Sequence, residues 1–391
     1  MRPLRIVQAA AFPYPSPQGS QVYVRGMARA LARRGHEVTV ACYAHGDGRV
    51  DDEDGVRVLR TPSVPGYANM RAGPDPVKPL LDLALAVRLC ALRADVIHAH
   101  NYEAPLAAYV ARAVRGIPVV YNNHNTMSEE LHRYFSHPAA RRTARALGWA
   151  LDHTIPRRAD ACVAISPRAV DQLRALGCRR VTHVPPGLDP VDLEGADGAR
   201  ARRRYALGGR VWVVYAGNPD PYQDLEDLVD AVLGIDEVGL LMVSASDLSP
   251  WEARAARLPS ERKRFIRTPH WTEVRDLVAA ADIAALPRRV YSGYPIKLLN
   301  SLGLGIPTVC AAGSAQPIPG VVEVPNADPV ALGRALRALA RDPARRRSLG
   351  EAARKAVLEH HSWDARAAEL EGVYRAVLGY GHGPLQTLGR G

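Results

Sequence analysis

Short apolar runs of strand length alternate with amphipathic segments of about 10–15 residues, and the alternation starts twice in the chain. The first series opens with Arg5–Ala10. It continues through a helical spacing from Val22 to Arg34, a stop at Gly35, and a second apolar run at Glu37–Ala41. Helix Pro79–Arg93, strand Asp95–His98, helix Ala104–Val114 and strand Ile117–Tyr121 follow. The series restarts after Pro185-Pro186-Gly187-Leu188-Asp189-Pro190, which reads as a linker. Strand patterns then recur at Val211–Ala216, Gly239–Val243, Ile283–Leu286 and Ile306–Ala311, with helical segments between them. Alternation of this kind builds βαβ units on a parallel sheet. The expected fold class is therefore α/β, with two doubly wound parallel-sheet domains facing each other across a cleft. A ligand is expected at the carboxyl ends of the strands. The closing stretch reads as helices Pro329–Leu339, Ala344–Glu359 and Trp363–Leu378, and the tail 380–391 as a frayed end.

Composition removes several alternatives. A length of 391 residues suits two domains better than one. No run approaches the ~18 apolar residues of a membrane span, and the chain opens on a strand pattern with no apolar signal core, so a cytoplasmic location is expected. Cys42, Cys90, Cys162, Cys178 and Cys310 are scattered and odd in number. A disulfide framework or a zinc site is not expected, and no metal is assigned. The net charge of +11 is uneven: residues 1–190 carry 25 basic and 16 acidic side chains, residues 191–391 carry 26 and 24. The first half would attract phosphate, an anionic lipid surface or an acidic substrate. No nucleic-acid signature accompanies that charge, and nucleic acid is not an expected partner.

Four places carry candidate chemistry. The first is Gly19-Ser20 between the opening strand and its helix, where a glycine admits an anion to a helix amino terminus. A plain tight turn reads the same way. The second is the histidines at strand ends, His98, His100 and His124, followed by Asn125. They are placed to bind a hydroxyl or phosphate or to move a proton, His124 foremost. The third and richest is Leu286 to Pro307. Arg288 follows a strand, a loop holds Ser292, Gly293 and Tyr294, and a helix begins near Pro295 and Ile296 with Lys297 in its first turn. A cation there opposes the helix dipole by ~0.3–1 kcal/mol, which makes sense if an anion shares the helix end. Only four lysines occur among 51 basic residues, which argues against an incidental one. The loop Gly217-Asn218 to Gln223 follows the first strand of the second series and is expected to face the same cleft.

At these residues the chain resembles the family-four glycosyltransferases, which have the GT-B fold of two facing Rossmann-like domains. The likeness runs from Ile6 to about Leu378. It includes Gly19-Ser20-Gln21, Ala94–His100, Val120–His124, Ala159–Ser166, Val184–Asp189, Tyr215–Asn218, Lys297–Pro307 and the closing Ser362-Trp363. The resemblance implies retaining transfer of a sugar from a nucleotide-sugar, UDP- or GDP-linked, with no other cofactor. It implies an acceptor-side domain over 1–187, a donor-binding domain over 191–362, and a final helix 363–379 that packs back on the first domain. It sets the family's donor positions on Asn218, Gln223, Ser292 and Asn300; with Gly217, Gly293, Tyr294, Pro295 and Ile296 these make the expected donor site. On their own chemistry His124, Lys297 and Arg288 are the expected catalytic set.

The chain departs from the family pattern at four positions. The usual pair of glutamates falls on Ser292 and Asn300, and the usual arginine and lysine on Asn218 and Gln223. Lys297 then reads as the displaced positive charge. A catalytically inactive nucleotide-sugar binder and a GT-B epimerase are the alternatives, the latter needing acid and base carboxylates that are not evident. The acceptor, whether glycan, lipid-linked or small molecule, is not specified. Arg142, Arg145 and Trp149 share a helical face suited to peripheral contact with an anionic membrane. The other reading is an exposed arginine face with Ala144, Leu147 and Leu151 packed inside.

Overall fold

A computed structural model describes residues 2–16, 18–44, 52–65, 67, 73–220, 223–288, 293–314 and 317–380. It divides into two units. Residues up to Gly187, with Gly293, Tyr294 and the stretch from Trp363, form one; Leu188–Arg288 and Pro295–Ser362 form the other.

The first unit contains β1 (Arg5–Pro13), α1 (Gly19–Arg33), β2 (Glu37–Tyr43), β3 (Asp52–Glu53), β4 (Val56–Arg60), α2 (Lys78–Ala91), β5 (Val96–His100) and α3 (Glu103–Arg115). It continues with β6 (Val119–Asn123), α4 (Met127–Glu130), α5 (Pro138–Thr154), β7 (Ala161–Ala164), α6 (Pro167–Ala175) and β8 (Val181–His183). Among the described residues the sheet runs β3-β4-β2-β1-β5-β6-β7-β8, parallel throughout except for the β3–β4 pair. Strand alternation gives this sheet two unlike faces. Val7, Ala9, Ala11, Ile97, Ala99 and Val119 turn toward an apolar layer formed by α2 and α3. The residues between them, Gln8, His98 and His100, turn the other way and are buried as well.

The second unit contains α7 (Gly198–Arg204), β9 (Val211–Ala216), α8 (Leu225–Leu233), β10 (Val238–Ser244), α9 (Ser249–Arg254), β11 (Lys263–Arg267) and α10 (Trp271–Ala279). It continues with β12 (Ile283–Leu286), α11 (Ile296–Gly303), β13 (Thr308–Ala311), β14 (Val321–Val324), α12 (Pro329–Arg341) and α13 (Pro343–His360). Its strands are parallel in the order β11-β10-β9-β12-β13-β14. The chain therefore winds outward one way from β9 and the other way from β12. Trp212, Val214, Leu241, Val243 and Ala284 pack on one face against Leu277 and Val278 of α10. On the other, α8 and α12 pack together and bury Leu225, Leu228, Leu336 and Leu339. Within this unit the proline-rich segment is tied down: Leu188 N–H donates to His361 O at 2.7 Å and Leu188 bridges Ser362.

The last helix, α14 (Trp363–Val377), belongs to the first unit and packs on α1. Trp363 lies against Gly26, where any Cβ would collide with the indole.

In α5 the buried stripe differs from the one expected. Ala144 is buried and Leu151 half-buried, but Leu147 is 53% exposed, beside Trp149 at 58%. The inward positions are instead Ala144, Gly148 and Asp152. Gly148 lies against the Met127 carbonyl, leaving no room for a side chain. The Asp152 carboxylate accepts from the backbone N–H groups of Met127 and Ser128, both at 2.9 Å, and from the Tyr102 hydroxyl at 2.5 Å. A carboxylate satisfying the first N–H groups of α4 fixes the rotation of α5 and turns Leu147 outward.

Candidate functional site

In the second unit, chemistry gathers where the winding reverses. Adjacent parallel strands whose connections leave in opposite directions open a crevice at their carboxyl ends. The loop after β9 supplies Gly217, Asn218 and Gln223; the loop after β12 supplies Arg288; the helix that follows, α11, supplies Lys297. These five were expected together from sequence, and the fold brings them together.

Lys297 Nζ donates to the Tyr215 hydroxyl at 2.6 Å and to Gln223 Oε1 at 3.3 Å, and lies 4.4 Å from the Tyr215 ring centroid. The Tyr215 hydroxyl in turn donates to Asn218 O at 2.5 Å, and Gln223 Nε2 donates to Asn218 Oδ1 at 3.4 Å. Gly217 has φ of 149°, and a Cβ there would come 2.6 Å from Lys297 Nζ. Only glycine leaves the ammonium its place. The partners of this ammonium are a phenol and an amide, both neutral. Desolvation, and after it the nearby Arg288 guanidinium, push the Lys297 pKa down to about 7, with Asp220 acting in the opposite sense. Arg288 is itself buried.

The end of α11 is open in composition as well. Pro295 is its N-cap residue, one position before the helix, with no side-chain cap and no acidic residue in the first turn. Asn300 follows Ile296 by four positions and so lies on the same helix face. Ser292 lies outside the described residues. Gly293 and Tyr294 group with the first unit, where Tyr294 is buried.

Tyr215 is the residue the sequence reading missed. Its signal is present: the last large side chain of an apolar strand, two positions before a glycine, carries a hydroxyl where valine or isoleucine would serve packing alone.

The first unit has its own polar centre. The three histidines were expected to face a ligand. His98 and His100 are fully buried and His124 nearly so. His100 Nε2 contacts the acceptor Gln8 Oε1 at 2.6 Å, which fixes the proton on that nitrogen and leaves Nδ1 to accept from His124 Nε2 at 3.0 Å. The Asn122 amide lies 3.1 Å from the same His124 nitrogen. Gln8 Nε2 donates to the Tyr374 hydroxyl at 3.2 Å, and that hydroxyl donates to His98 Nδ1 at 2.8 Å. The bonds form one directed chain, His124 to His100 to Gln8 to Tyr374 to His98. Tyr23 covers His124 edge-on at 5.2 Å between centroids. Desolvation pushes His98 and His124 down to about 3 and His100 well below the usual imidazole value. α1 and α14 supply the cover, through Tyr23 and Tyr374; Gln8 and Tyr374 had no role in the sequence reading.

Beside this chain Asn125 is exposed, its Nδ2 donating to Glu130 Oε2 at 3.1 Å. Gly19 and Ser20 open α1, whose N-cap residue Gln18 makes no side-chain cap, and nothing lies within 4 Å of a Cβ placed on Gly19. Among the described residues no group of three His, Cys, Asp or Glu is arranged to hold a metal ion.

Comparison with known proteins places these sites in context. The model of Glycosyltransferase Family 4 matches residues 17–192, and that of a glycosyl transferase-like family matches residues 225–372. A D-inositol 3-phosphate glycosyltransferase of Xylanimonas cellulosilytica is 28% identical over 388 residues, 91% of each chain. A glycogen synthase of Mycobacterium tuberculosis is 25% identical, covering 91% of this chain and 90% of its own. Among solved structures, a sucrose-phosphate synthase from Thermosynechococcus elongatus superposes with a TM-score of 0.82 at 19% identity, covering 96% of this chain and all of its own. HepE of Anabaena, solved in complex with UDP and glucose, gives 0.73 at 15% identity over 95% of this chain and all of its own.

Proposed function

The chain is a GT-B glycosyltransferase of the family-four type that moves a sugar from a nucleotide-sugar donor, and from that premise we propose that the donor diphosphate is held by Lys297, Arg288 and the amino end of α11. The observation that carries the reading is the Lys297 ammonium at the switch point of the second sheet. Among the described residues it has only neutral hydrogen-bond partners and a second cation as neighbour. A diphosphate supplies the missing negative charge and restores the ammonium to its protonated state.

In this reading Gln223 and Tyr215 aim the ammonium. Asn300 takes ribose hydroxyls, and Pro295 and Ile296 border the donor. UDP is the favoured nucleotide, supported by the UDP and glucose bound to HepE; GDP is the other. The C1–oxygen bond to the leaving phosphate breaks as the acceptor oxygen bonds C1 on the same face, and the acceptor proton passes to the leaving phosphate oxygen. Configuration is retained. Charge on the leaving oxygen falls on Lys297 and Arg288, so no metal is required. His124 is neutral in its buried chain. It serves as a hydrogen-bonding group for sugar or acceptor rather than as a proton carrier, with Asn125 and the Gly19–Ser20 turn on the acceptor side.

The test is turnover over a panel of UDP-, GDP-, ADP- and TDP-sugars, with product anomeric configuration read by NMR. Lys297→Ala is expected to lower turnover by ~10²-fold or more. Undiminished turnover in that variant, or no turnover and no nucleotide affinity in the unmodified enzyme, refutes the assignment. Nucleotide affinity without turnover supports the inactive-binder alternative.

On the acceptor side, α5 supports peripheral contact with an anionic bilayer at the cytoplasmic face. Trp149 and Leu147 are exposed with Arg141, Arg142 and Arg145 on the same helix. Among the described residues no helix is long and apolar enough to cross a membrane. Co-sedimentation with phosphatidylglycerol vesicles that weakens with salt and is lost in Trp149→Ala supports this contact; sedimentation indifferent to anionic lipid refutes it.

A further inference from the structure

The apolar layer of the first unit has an outer surface that no described residue of that unit covers. α2, of sequence KPLLDLALAVRLCA, buries Leu81, Leu85 and Leu89 against the sheet, yet Leu80, Leu83 and Val87 on its outer face are equally apolar. A helix apolar all round is one that is packed on both sides. α3 repeats the pattern. Ala104, Ala107, Ala108 and Ala111 pack inward while Leu106, Val110 and Val114 point out. The six outward side chains are each 47–65% exposed. The two helices lie side by side on the same sheet face, each running opposite to the parallel strands, so the stripes at i, i+3, i+7 and i, i+4, i+8 form one surface.

We propose that this α2–α3 surface is the interface of a two-fold homodimer, in which a second copy lays the same pair of helices antiparallel across it.

Two observations select a second copy. The patch is on the order of 500 Å² of apolar surface per copy, about 1,000 Å² for a pair, the size at which stable interfaces begin. Charge is polarised along the helices as well. Asp75 and Glu103 stand at the amino ends, where Lys78 is held by Glu103 at 3.9 Å and by Gly73 O at 2.7 Å. Arg88, Arg93, Arg112 and Arg115 stand at the carboxyl ends. A two-fold axis normal to the helices brings the acidic end of each copy onto the basic end of the other and opposes the helix dipoles. A lipid surface suits the stripe poorly, because no aromatic or cationic side chain lies among its six residues.

The test is size-exclusion chromatography with light scattering, together with sedimentation equilibrium, on the full chain. The unmodified protein is expected at twice 42.4 kDa at micromolar concentration. The double variant Leu83→Glu, Val110→Glu is expected to raise the dimer dissociation constant at least about thirtyfold. Both positions are exposed, so the far-UV spectrum and melting of the monomer should be retained. Leu147→Glu on α5 should leave association unchanged. A protein monomeric at every concentration overturns the proposal, as does a dimer indifferent to the double variant. A monomer that binds neutral phosphatidylcholine vesicles and loses that binding in the double variant overturns it in favour of lipid.

Discussion

The histidine chain of the first unit and the lysine cluster of the second occupy comparable places: each lies beside the first strand of its sheet, where the winding reverses. They differ in how their polar atoms are balanced. The histidines are neutral and linked donor to acceptor from His124 to His98. Among the described residues Lys297 hydrogen-bonds only to neutral groups and has a guanidinium as neighbour, and Asp220, the one carboxylate acting on it, offsets its charge only in part. A neutral hydrogen-bonded network is tolerated in a fold even with His98 Nε2 and Asn122 Oδ1 left unpartnered at its edge; an unbalanced buried charge is far more destabilising unless something else binds it. Burial of polar groups at a switch point is therefore not by itself a mark of an anion site, and the charge balance separates the two cases.

The sharpest way to break the contrast is to remove one group from each side. Lys297→Ala should lower sugar transfer by ~10²-fold or more while leaving thermal stability at pH 7 unchanged or raised, since a strained charge is removed. His100→Ala should do the reverse. It deprives Gln8 Oε1 of its partner and leaves His124 Nε2 with the Asn122 amide alone, at a cost of about 1–3 kcal/mol, while the folded fraction retains nucleotide affinity. Melting by calorimetry beside nucleotide titration checks both. A His100 variant that melts like the unmodified protein and loses nucleotide affinity would invert the comparison.

Much of this was legible in sequence, and the reason differs by element. Strand–helix alternation located β1, β2, β5, β6, β9, β10 and β12 because each is a mostly apolar run, largely buried on both faces. β3 and β11 were not legible. One is two residues long and acidic, the other is Lys-Arg-Phe-Ile-Arg at a sheet edge, so neither carries the apolar signal. Lys297, Gln223 and Gly217 could be named because they sit in loops and a helix start next to strand ends. Tyr215 and Tyr374 could not, since an aromatic residue inside an element looks like core until its hydroxyl has a partner. The outward turn of Leu147 was equally hidden, because it depends on Asp152 capping a helix that begins 25 residues earlier.

Proton linkage separates the two centres by pH. His98 and His124 have folded pKa values near 3 against an ordinary 6.5. Between those limits the unfolded chain binds protons that the folded one does not, so stability falls as pH drops from about 6.5 toward 3. Lys297 stands near 7 against an ordinary 10.5, so its penalty is full below 7 and stability rises as pH climbs from 7 to 10.5. Nucleotide binding needs the ammonium. The dissociation constant of a nucleoside diphosphate should therefore rise toward tenfold per pH unit above about 7. Lys297→Arg, charged at every accessible pH, should flatten that dependence. Calorimetric titrations from pH 6 to 9 read it directly, and an unmodified enzyme with a flat profile would place the diphosphate away from Lys297.

The smallest expected effect probes how the ammonium is aimed. Tyr215→Phe keeps the ring 4.4 Å from Nζ and removes the hydroxyl that accepts from it and donates to Asn218 O. One hydrogen bond involving a charged group is worth about 1.5–3 kcal/mol, but Gln223 Oε1 remains as a second acceptor. A bound diphosphate then takes over the role of anchor. Turnover should fall only about three- to tenfold, in kcat more than in KM, because a loosely held ammonium still meets the ground-state diphosphate but is less well aligned with the charge that develops on leaving. The pH midpoint of nucleotide binding should move down, since an acceptor that favours the protonated amine is gone. Unchanged kcat together with an unchanged midpoint would reduce Tyr215 to packing and leave Gln223 as the residue that positions Lys297.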